Sequence, residues 1–560
     1  MKILILGGYG VFGGRLAELL SNITKLELLI SGRNQPRATA FCQTLLGEAK
    51  VTPVQLDRKD IGQKLAELAP DLVIDASGPF QQYGAARYEV IEACIRHGVN
   101  YLDFADAADF VFGVSQFDQA AREVGIFVLS GVSSFPVMTS AVLREMCKDM
   151  TIETVKGGIA PSPYAGIGLN VMRAVLDYAG TPVKLTRQGQ HTTAPGLAES
   201  QRYTIAVPGK MPLKNTHFSL VDVPELQVLP PEFPELTDIW IGAGPRPEAL
   251  HRMLNMLAKL RHRLNLPSFA PLAPFFHRVL NVLKFGEHRG GMFVHATGHR
   301  NGQPVERSWH LLAEGDDGPY IPSMAIEAII RKILDGNPPE LGARAAIREL
   351  NLSDYEHLFD GRSLYMGFRS KAKGEVPLYR QVLGDAFDLL PPQVQALHDD
   401  VRARSWSGTA RVQRGTGLIS RALGALFGFP NTADQVPVNV CFTPQDGGET
   451  WTRRFGTRSF SSVQTLGRKR RNHLVLERFG PVTVALALVV DAQKLFLIPR
   501  SWSFLGLPLP QFLLPKGQSF ETQVDGAFCF DVEISAPLIG LIAAYQGELH
   551  STAPSTVAAN

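Results

Sequence analysis

The opening of the chain alternates between two hydrophobic periods. Lys2-Ile3-Leu4-Ile5-Leu6 reads as a strand buried on both faces, and Leu16, Leu19 and Leu20 then recur at helical spacing. The same alternation continues. Strand-like runs fall at Leu26 to Ile30, Val51 to Leu56, Asp71 to Asp75, Gly98 to Asp103 and Ile126 to Leu129. Helical patterns lie between them, among them Val90, Ile91, Ala93, Cys94 and Ile95. Five or six strands alternating with helices predict a doubly wound α/β domain over residues 1–130.

The pattern changes from about Thr151. Strand-like pieces at Tyr203 to Val207, Phe218 to Val223 and Leu236 to Gly242 are broken by proline and glycine. Helices are expected over Leu250 to Leu264 and within Phe269 to Phe285, and strands return at Gly290 to Ala296 and Trp309 to Glu314. A strongly apolar helix follows at Met324 to Leu334. Residues 131–350 thus read as an α+β domain that shapes a substrate cleft and supplies a homodimer contact. Periodicity fades over 351–374, the expected linker. Residues 375–550 read as a β-rich domain with helices at Leu378 to Leu389, Val394 to Val401 and Leu418 to Phe427. Its strands are expected at Val436 to Phe442, Glu449 to Phe455, Asn472 to Phe479, Val482 to Val490, Lys494 to Ile498 and Ala527 to Ser535. That spacing predicts a strongly curved antiparallel sheet or a barrel holding a helix. The tail 551–560 is expected to be disordered.

Chemistry enters at the first turn. Gly7-Gly8-Tyr9-Gly10-Val11-Phe12-Gly13 places Gly8, Gly10 and Gly13 in G-x-G-x-x-G spacing between a strand and a helix. Glycines there permit a tight turn, close approach of backbone to a pyrophosphate and close packing of helix on strand, the Rossmann-type dinucleotide site. The second strand ends in Ser31-Gly32-Arg33-Asn34, with Arg37 nearby and no carboxylate. A hydroxyl and two guanidiniums suit a 2′-phosphate, so the expected cofactor is NADP. Asp57 ends the third strand near the adenine. Ala76-Ser77-Gly78-Pro79-Phe80 ends the fourth and should border the nicotinamide. Asp103, Tyr101 and Tyr164 are candidate acids or bases because they lie at strand ends or loops on that side.

The glycine turn, Ser31-Gly32-Arg33, Ala76 to Phe80, and Ala93-Cys94-Ile95 through Tyr101-Leu102-Asp103 together resemble the saccharopine-dehydrogenase-like NADP-binding family. The resemblance implies a Rossmann domain with an inserted α+β mixed-sheet domain and a late helix returning to the first, here Met324 to Leu334. It also implies that the loop holding Tyr164 faces the cofactor, and that the activity is NADP-linked oxidation or reduction of a C=N or comparable double bond. Where many relatives carry Ser-Gly-Glu, this chain has Ala105-Asp106-Ala107, and no arginine cluster for an α-amino acid is apparent. The last third resembles an uncharacterised bacterial domain that follows such modules. The residues that carry this are Leu389-Leu390-Pro391-Pro392, Arg414-Gly415, Trp451-Thr452-Arg453-Arg454-Phe455, Leu507-Pro508-Leu509-Pro510 and Tyr545-Gln546-Gly547-Glu548-Leu549.

Composition narrows the partners. A net charge of +3 over 560 residues is too balanced for an electrostatically driven nucleic-acid binder, and Arg468-Lys469-Arg470-Arg471 reads as a solvated hairpin tip. Five cysteines without a C-x-x-C pair predict neither a disulfide framework nor a metal site. Met1 leads straight into a strand rather than a signal peptide, so the expected location is cytoplasmic. The basic, apolar helices of 250–285 read first as core-covering helices, with a peripheral membrane or lipid contact as the alternative. Trp451, Arg453, Arg454, Glu477 and Trp502 are candidates to line a pocket for an amphipathic ligand. Two functions are therefore carried forward. One is an NADP(H)-dependent oxidoreductase acting on a small-molecule substrate, and the other is an NADP-bound protein that binds or senses a lipid-like ligand.

Overall fold

The computed structural model describes residues 1–166, 168–371 and 375–552. The chain forms two compact units. The first is Met1–Tyr203 with Thr216–Tyr365, and the second is Thr204–Asn215 with the chain from Met366 onward. The expected linker is not bare. It carries a helix, Leu352–Phe359, and a strand, Leu364–Ser370, that leads out of the first unit. Asn351 and Asp354 cap that helix reciprocally, a signal its polar composition concealed. Residues 372–374 of that stretch, and 553–560 of the expected tail, lie outside the described residues.

In the first unit a parallel sheet is built from β1 (Lys2–Leu6), β2 (Glu27–Gly32), β3 (Lys50–Gln55), β4 (Leu72–Asp75), β5 (Asn100–Asp103) and β6 (Phe127–Ser130). Ile3, Leu4 and Ile5 have no exposed surface, as a strand covered by helices on both faces requires. The order β6-β5-β4-β1-β2-β3 reverses direction between β1 and β4, and ligands bind at such a switch point. The strand Gly342–Ala345 extends the sheet beside β6, so the domain closes far beyond residue 130. Helix α1 (Val11–Leu20) packs on the later helix Ile321–Leu334, whose Met324, Ala325, Ile326, Ile329 and Ile330 are buried. Ser323 ties the pair by donating from its hydroxyl to the Phe12 carbonyl at 3.2 Å. This is the return helix that the resemblance implied.

The inserted domain is a mixed sheet. Its order in this unit is Ser200–Tyr203, Thr216–Leu220, Asp238–Ala243, Thr151–Ala160, Arg289–Arg300, Gln303–Glu314. Only the pairing of Asp238–Ala243 with Thr151–Ala160 is parallel among these neighbours. Phe218 and Phe293 pack on one face of the sheet, and Ile241 and Trp309 on the other, so both faces are covered. The helices Glu248–Leu264 and Ala273–Val282 are less committed to the core than their sequence patterns implied. Met256, Leu264, Phe275 and Val282 are exposed, whereas Leu254, Ala258, Ala273 and Phe276 are buried. Among the described residues no helix is long and apolar enough to cross a membrane.

The second unit is a closed antiparallel barrel. Among the described residues ten strands follow one another around it: Arg404–Arg414, Ala433–Gln445, Gly448–Phe455, Arg458–Leu466, Val475–Phe479, Val482–Asp491, Lys494–Phe504, Ser519–Val524, Ala527–Ala536 and Gly540–Thr552. The last pairs with the first, Leu549 opposite Gly408, so the ring leaves no open edge. Tyr379, Leu383, Phe387, Trp406, Phe442 and Trp451 form part of one buried cluster with the helices Leu378–Leu383 and Pro392–His398. Helix Leu418–Leu426 spans the gap between the first two strands. The expected β-rich domain is therefore a barrel with four strands more than its hydrophobic pattern displayed.

Candidate functional site

The site is built on the glycine turn between β1 and α1. Gly7 adopts a left-handed φ of +70°, and a Cβ on Gly13 would sit 2.4 Å from the Gly7 carbonyl oxygen. Nothing larger than hydrogen fits there, so the start of α1 lies directly against the turn. The helix begins at Gly10 with no side-chain cap and no acidic residue in its first turn. Its leading N–H groups are therefore free for an anion, and the helix dipole favours one. Val11 is exposed, and Phe12 stacks on Phe104 beyond β5, with ring centroids 5.6 Å apart.

Beside this turn, Tyr9 lies across the end of β2. Its ring occupies the space a Cβ on Gly32 would take, at 2.3 Å, and its hydroxyl accepts from the Asn34 amide at 3.1 Å. Asn34 in turn caps the helix Gln35–Cys42 by accepting from the Arg37 amide at 2.9 Å. The Arg37 guanidinium lies 5.5 Å from the centre of the Tyr9 ring. Arg33 and Arg37 are both exposed. Two cations thus stand at the carboxyl edge of β2 without an acidic neighbour in that segment. Ser31 does not join them. It is fully buried, and its hydroxyl donates to the Ile5 carbonyl at 2.9 Å, tying β2 to β1. Asp57 caps a short turn, accepting from the Lys59 amide at 3.4 Å.

At the end of β4, Asp75 anchors the expected nicotinamide-side turn. Its Oδ1 accepts from the Ser77 amide at 2.9 Å and the Ser77 hydroxyl at 2.5 Å, while Oδ2 pairs with Arg58. The Arg58 guanidinium lies 3.9 Å from the centre of the Tyr83 ring and donates to the Arg87 carbonyl at 2.9 Å. Ala76 supports Gly7 from below, and the Gly78 carbonyl accepts from Asn170 at 3.2 Å. Gly168 also approaches Val11, so the loop before helix Leu169–Tyr178 adjoins both the glycine turn and the β4 turn. Phe80 is buried against Phe110. Arg58 is absent from the sequence-derived set because its partner lies 17 residues away.

Two of the three candidate acids are not placed for chemistry. Asp103 and Tyr101 have no exposed surface. Asp103 Oδ1 instead accepts from the amides of Ala105 and Gly131 at 2.9 and 2.7 Å, stapling the loops after β5 and β6 together. Burial is the main cause that pushes its carboxyl up to about 7, against the pull of those two amides. Tyr164 is half-buried, lies against His288 with ring centroids 4.6 Å apart, and donates to the Gly286 carbonyl at 3.5 Å.

The Asp103 staple yields a pH prediction. The folded chain holds a proton that an unfolded aspartate, at about 3.9, has released. This contribution to stability is complete below about pH 4 and is lost as pH rises through the folded value. Between about pH 5 and 7 the loss should be about 2–3 kcal/mol. Asp103→Asn keeps an acceptor for both amides and should remove that share. A slope of similar size persists from Glu225, which burial pushes up to about 8, so the variant should lose about half of the combined slope. Urea unfolding of the first unit at several pH values checks this. Equal slopes in variant and parent would show that Asp103 is ionised throughout.

A further acid on this side is Asp106, in the Ala105-Asp106-Ala107 segment. It follows β5 at the carboxyl end of the sheet, and its Oδ1 accepts from Gln81 of the β4 turn at 3.0 Å. Asp106 is exposed, yet surrounding protein desolvates its carboxyl and raises its pKa. Asp222, from the inserted domain, is pushed up to about 6 by burial first and by the charges of Asp109 and Asp106 next. The Tyr178 hydroxyl is buried beside the same two acids, Asp222 and Asp106, and its pKa is raised as well. Sequence spacing hid this group, because its members come from three separate segments.

Comparison with known proteins finds matches to two domain families. Residues 3–129 match the family described as saccharopine dehydrogenase NADP binding domain, and residues 390–549 match domain of unknown function DUF4166. No curated protein matches the chain. Among solved structures, apo saccharopine dehydrogenase (L-Glu forming) from Saccharomyces cerevisiae is 14% identical, with a TM-score of 0.48, covering 66% of this chain and 100% of that one. Amine dehydrogenase from Mycobacterium smegmatis is 12% identical, with a TM-score of 0.34, covering 62% of this chain and 95% of that one. A probable dehydrogenase from Thermotoga maritima is 11% identical, with a TM-score of 0.33, covering 61% and 91%. The glycine turn thus lies in the segment that matches the saccharopine dehydrogenase NADP binding domain, and most of the barrel in the segment that matches DUF4166.

Proposed function

We propose that the protein is an NADP(H)-dependent oxidoreductase that acts on the C=N or C=O bond of a small metabolite. The observation that carries this reading is the uncapped start of α1 at the switch point of the sheet, pressed against the Gly7–Gly13 turn. In this reading the turn and the first amides of α1 hold the diphosphate. Arg33 and Arg37 hold the 2′-phosphate, with Tyr9 and Asn34 fixing Arg37 in place. The Ala76–Phe80 turn, braced by Asp75, limits the position of the nicotinamide. The bound cofactor supplies or accepts a hydride. The chain must then supply or accept the accompanying proton at the substrate nitrogen or oxygen. Asp106, Asp222 and Tyr178 form the group for that task, since an acid pushed up to about 6 still carries some proton near neutral pH.

The test begins with the cofactor. In calorimetric titrations Arg33→Asp should weaken NADP binding by at least about 100-fold, because it replaces an attractive charge with a repulsive one. NAD affinity should change by less than about threefold. Equal loss for both dinucleotides would show that Arg33 does not read the phosphate. A screen of imines, aldehydes, ketones and secondary amines, followed by nicotinamide absorbance, addresses the reaction itself. Turnover with none of them would count against an oxidoreductase.

A further inference from the structure

The barrel encloses a cavity of about 500 Å³ in a size range typical of small-molecule sites. Its walls are chiefly aliphatic and aromatic, among them Val440, Phe455, Leu486 and Phe528. At one place the wall is polar. Gln464 has no exposed surface, yet both its amide nitrogen and its amide oxygen lack a hydrogen-bond partner among the described residues. The buried Tyr379 hydroxyl lies close enough to Gln464 to interact with it, but the two do not form a well-aligned hydrogen bond. Burying a complete amide with neither donor nor acceptor used is costly, and native proteins rarely keep one without a use for it.

The inward charges, by contrast, are already matched. Arg453 donates to the Ser462 hydroxyl at 2.8 Å and to Glu477 at 3.1 Å, and Ser462 also donates to Glu477 at 2.7 Å. Glu521 lies 2.6 Å from His398 Nε2. Beside Gln464 a charged ligand head would meet no unpaired counter-charge, since the other charged lining residues, Lys516 and Glu533, are exposed. A neutral head able both to donate and to accept finds its complement in Gln464. Toward the other end of the lining, Leu426 is 76% exposed and Phe504 44% exposed. Apolar residues therefore continue from the chamber to the surface. Of the residues expected to form such a pocket, Arg453, Glu477 and Trp502 line the cavity. Trp451 is packed in the core beneath it, and Arg454 points outward.

We propose that the barrel is a binding chamber for one uncharged apolar molecule with a hydroxyl or amide head, held by Gln464. This inference stands independently of the redox reading.

The experiment uses the full chain and the fluorescent probe N-phenyl-1-naphthylamine, displaced by 1-dodecanol, dodecanoate or dodecylamine at neutral pH. Saturable binding of one probe per chain is expected, and dodecanol should displace it at about tenfold lower concentration than either charged analogue. Gln464→Leu should weaken dodecanol by about tenfold, the worth of one good buried hydrogen bond. It should also raise the Tm of the empty protein, because it removes an unpaired buried amide. Arg454→Leu, on the outer face of the neighbouring strand, should leave displacement unchanged. Absence of saturable probe binding would overturn the proposal, as would a charged analogue matching the alcohol. Undiminished dodecanol binding by a folded Gln464→Leu chain would also overturn it.

Discussion

Replacing Gly13 with valine should abolish dinucleotide binding, with a loss in affinity of at least about 1,000-fold, or roughly 4 kcal/mol. A Cβ at this position would meet the Gly7 carbonyl oxygen at 2.4 Å and the Gly8 Cα at 2.9 Å. Both are backbone atoms held by β1 and cannot swing aside as a side chain does. The valine must therefore lift the first turn of α1 off the glycine turn, and the amides that face the diphosphate move with it. Gly14→Ala is the control. Its Cβ would lie 3.4 Å from the edge of the Phe41 ring, a contact that a small ring movement relieves. Calorimetry with NADP should find Gly14→Ala within about tenfold of the parent, since only packing distant from the phosphates changes. If Gly13→Val still binds within tenfold, the turn does not cradle the dinucleotide.

This turn was legible in the sequence because its meaning is local. A buried strand, three glycines at fixed spacing and a helix suffice to specify it, and all lie within about 20 residues. The barrel was less legible. In Arg458–Leu466 the inward positions are Phe460, Ser462 and Gln464, so the polar chamber wall erased the apolar alternation that marks a strand. Gly540–Thr552 pairs with Arg404–Arg414 across more than a hundred residues, and no local pattern records such a closure. Tyr101 and Asp103 illustrate a third limit. A strand end locates a residue along the sheet but does not say whether its side chain faces a cleft or the core. Asp106, three residues later, had no periodicity to mark it, and its neighbours Gln81 and Asp222 arrive from elsewhere in the chain.

Breaking the Arg58–Asp75 pair should have the second large effect, on stability and cofactor affinity together. Asp75 has no exposed side-chain surface and Arg58 only 11%, so this is a buried pair. Arg58→Met would leave the Asp75 carboxylate with Ser77 as its remaining partner at 2.9 and 2.5 Å. A stranded buried charge typically costs about 3–5 kcal/mol. Asp75→Asn alone strands the guanidinium instead, whose other contacts are Ser77, the Arg87 carbonyl and the Tyr83 ring. The double variant strands neither and should recover about 2–3 kcal/mol relative to the sum of the singles. Because the chain has two compact units, the relevant quantity is the first unit's own urea transition. The two properties separate in the double variant. Its stability should return while NADP affinity stays reduced, because Arg58 and Asp75 together orient Ser77 and the turn ahead of Phe80. A double variant no more stable than either single would mean that the pair contributes packing alone. Full recovery of affinity would mean that the turn holds its shape without it.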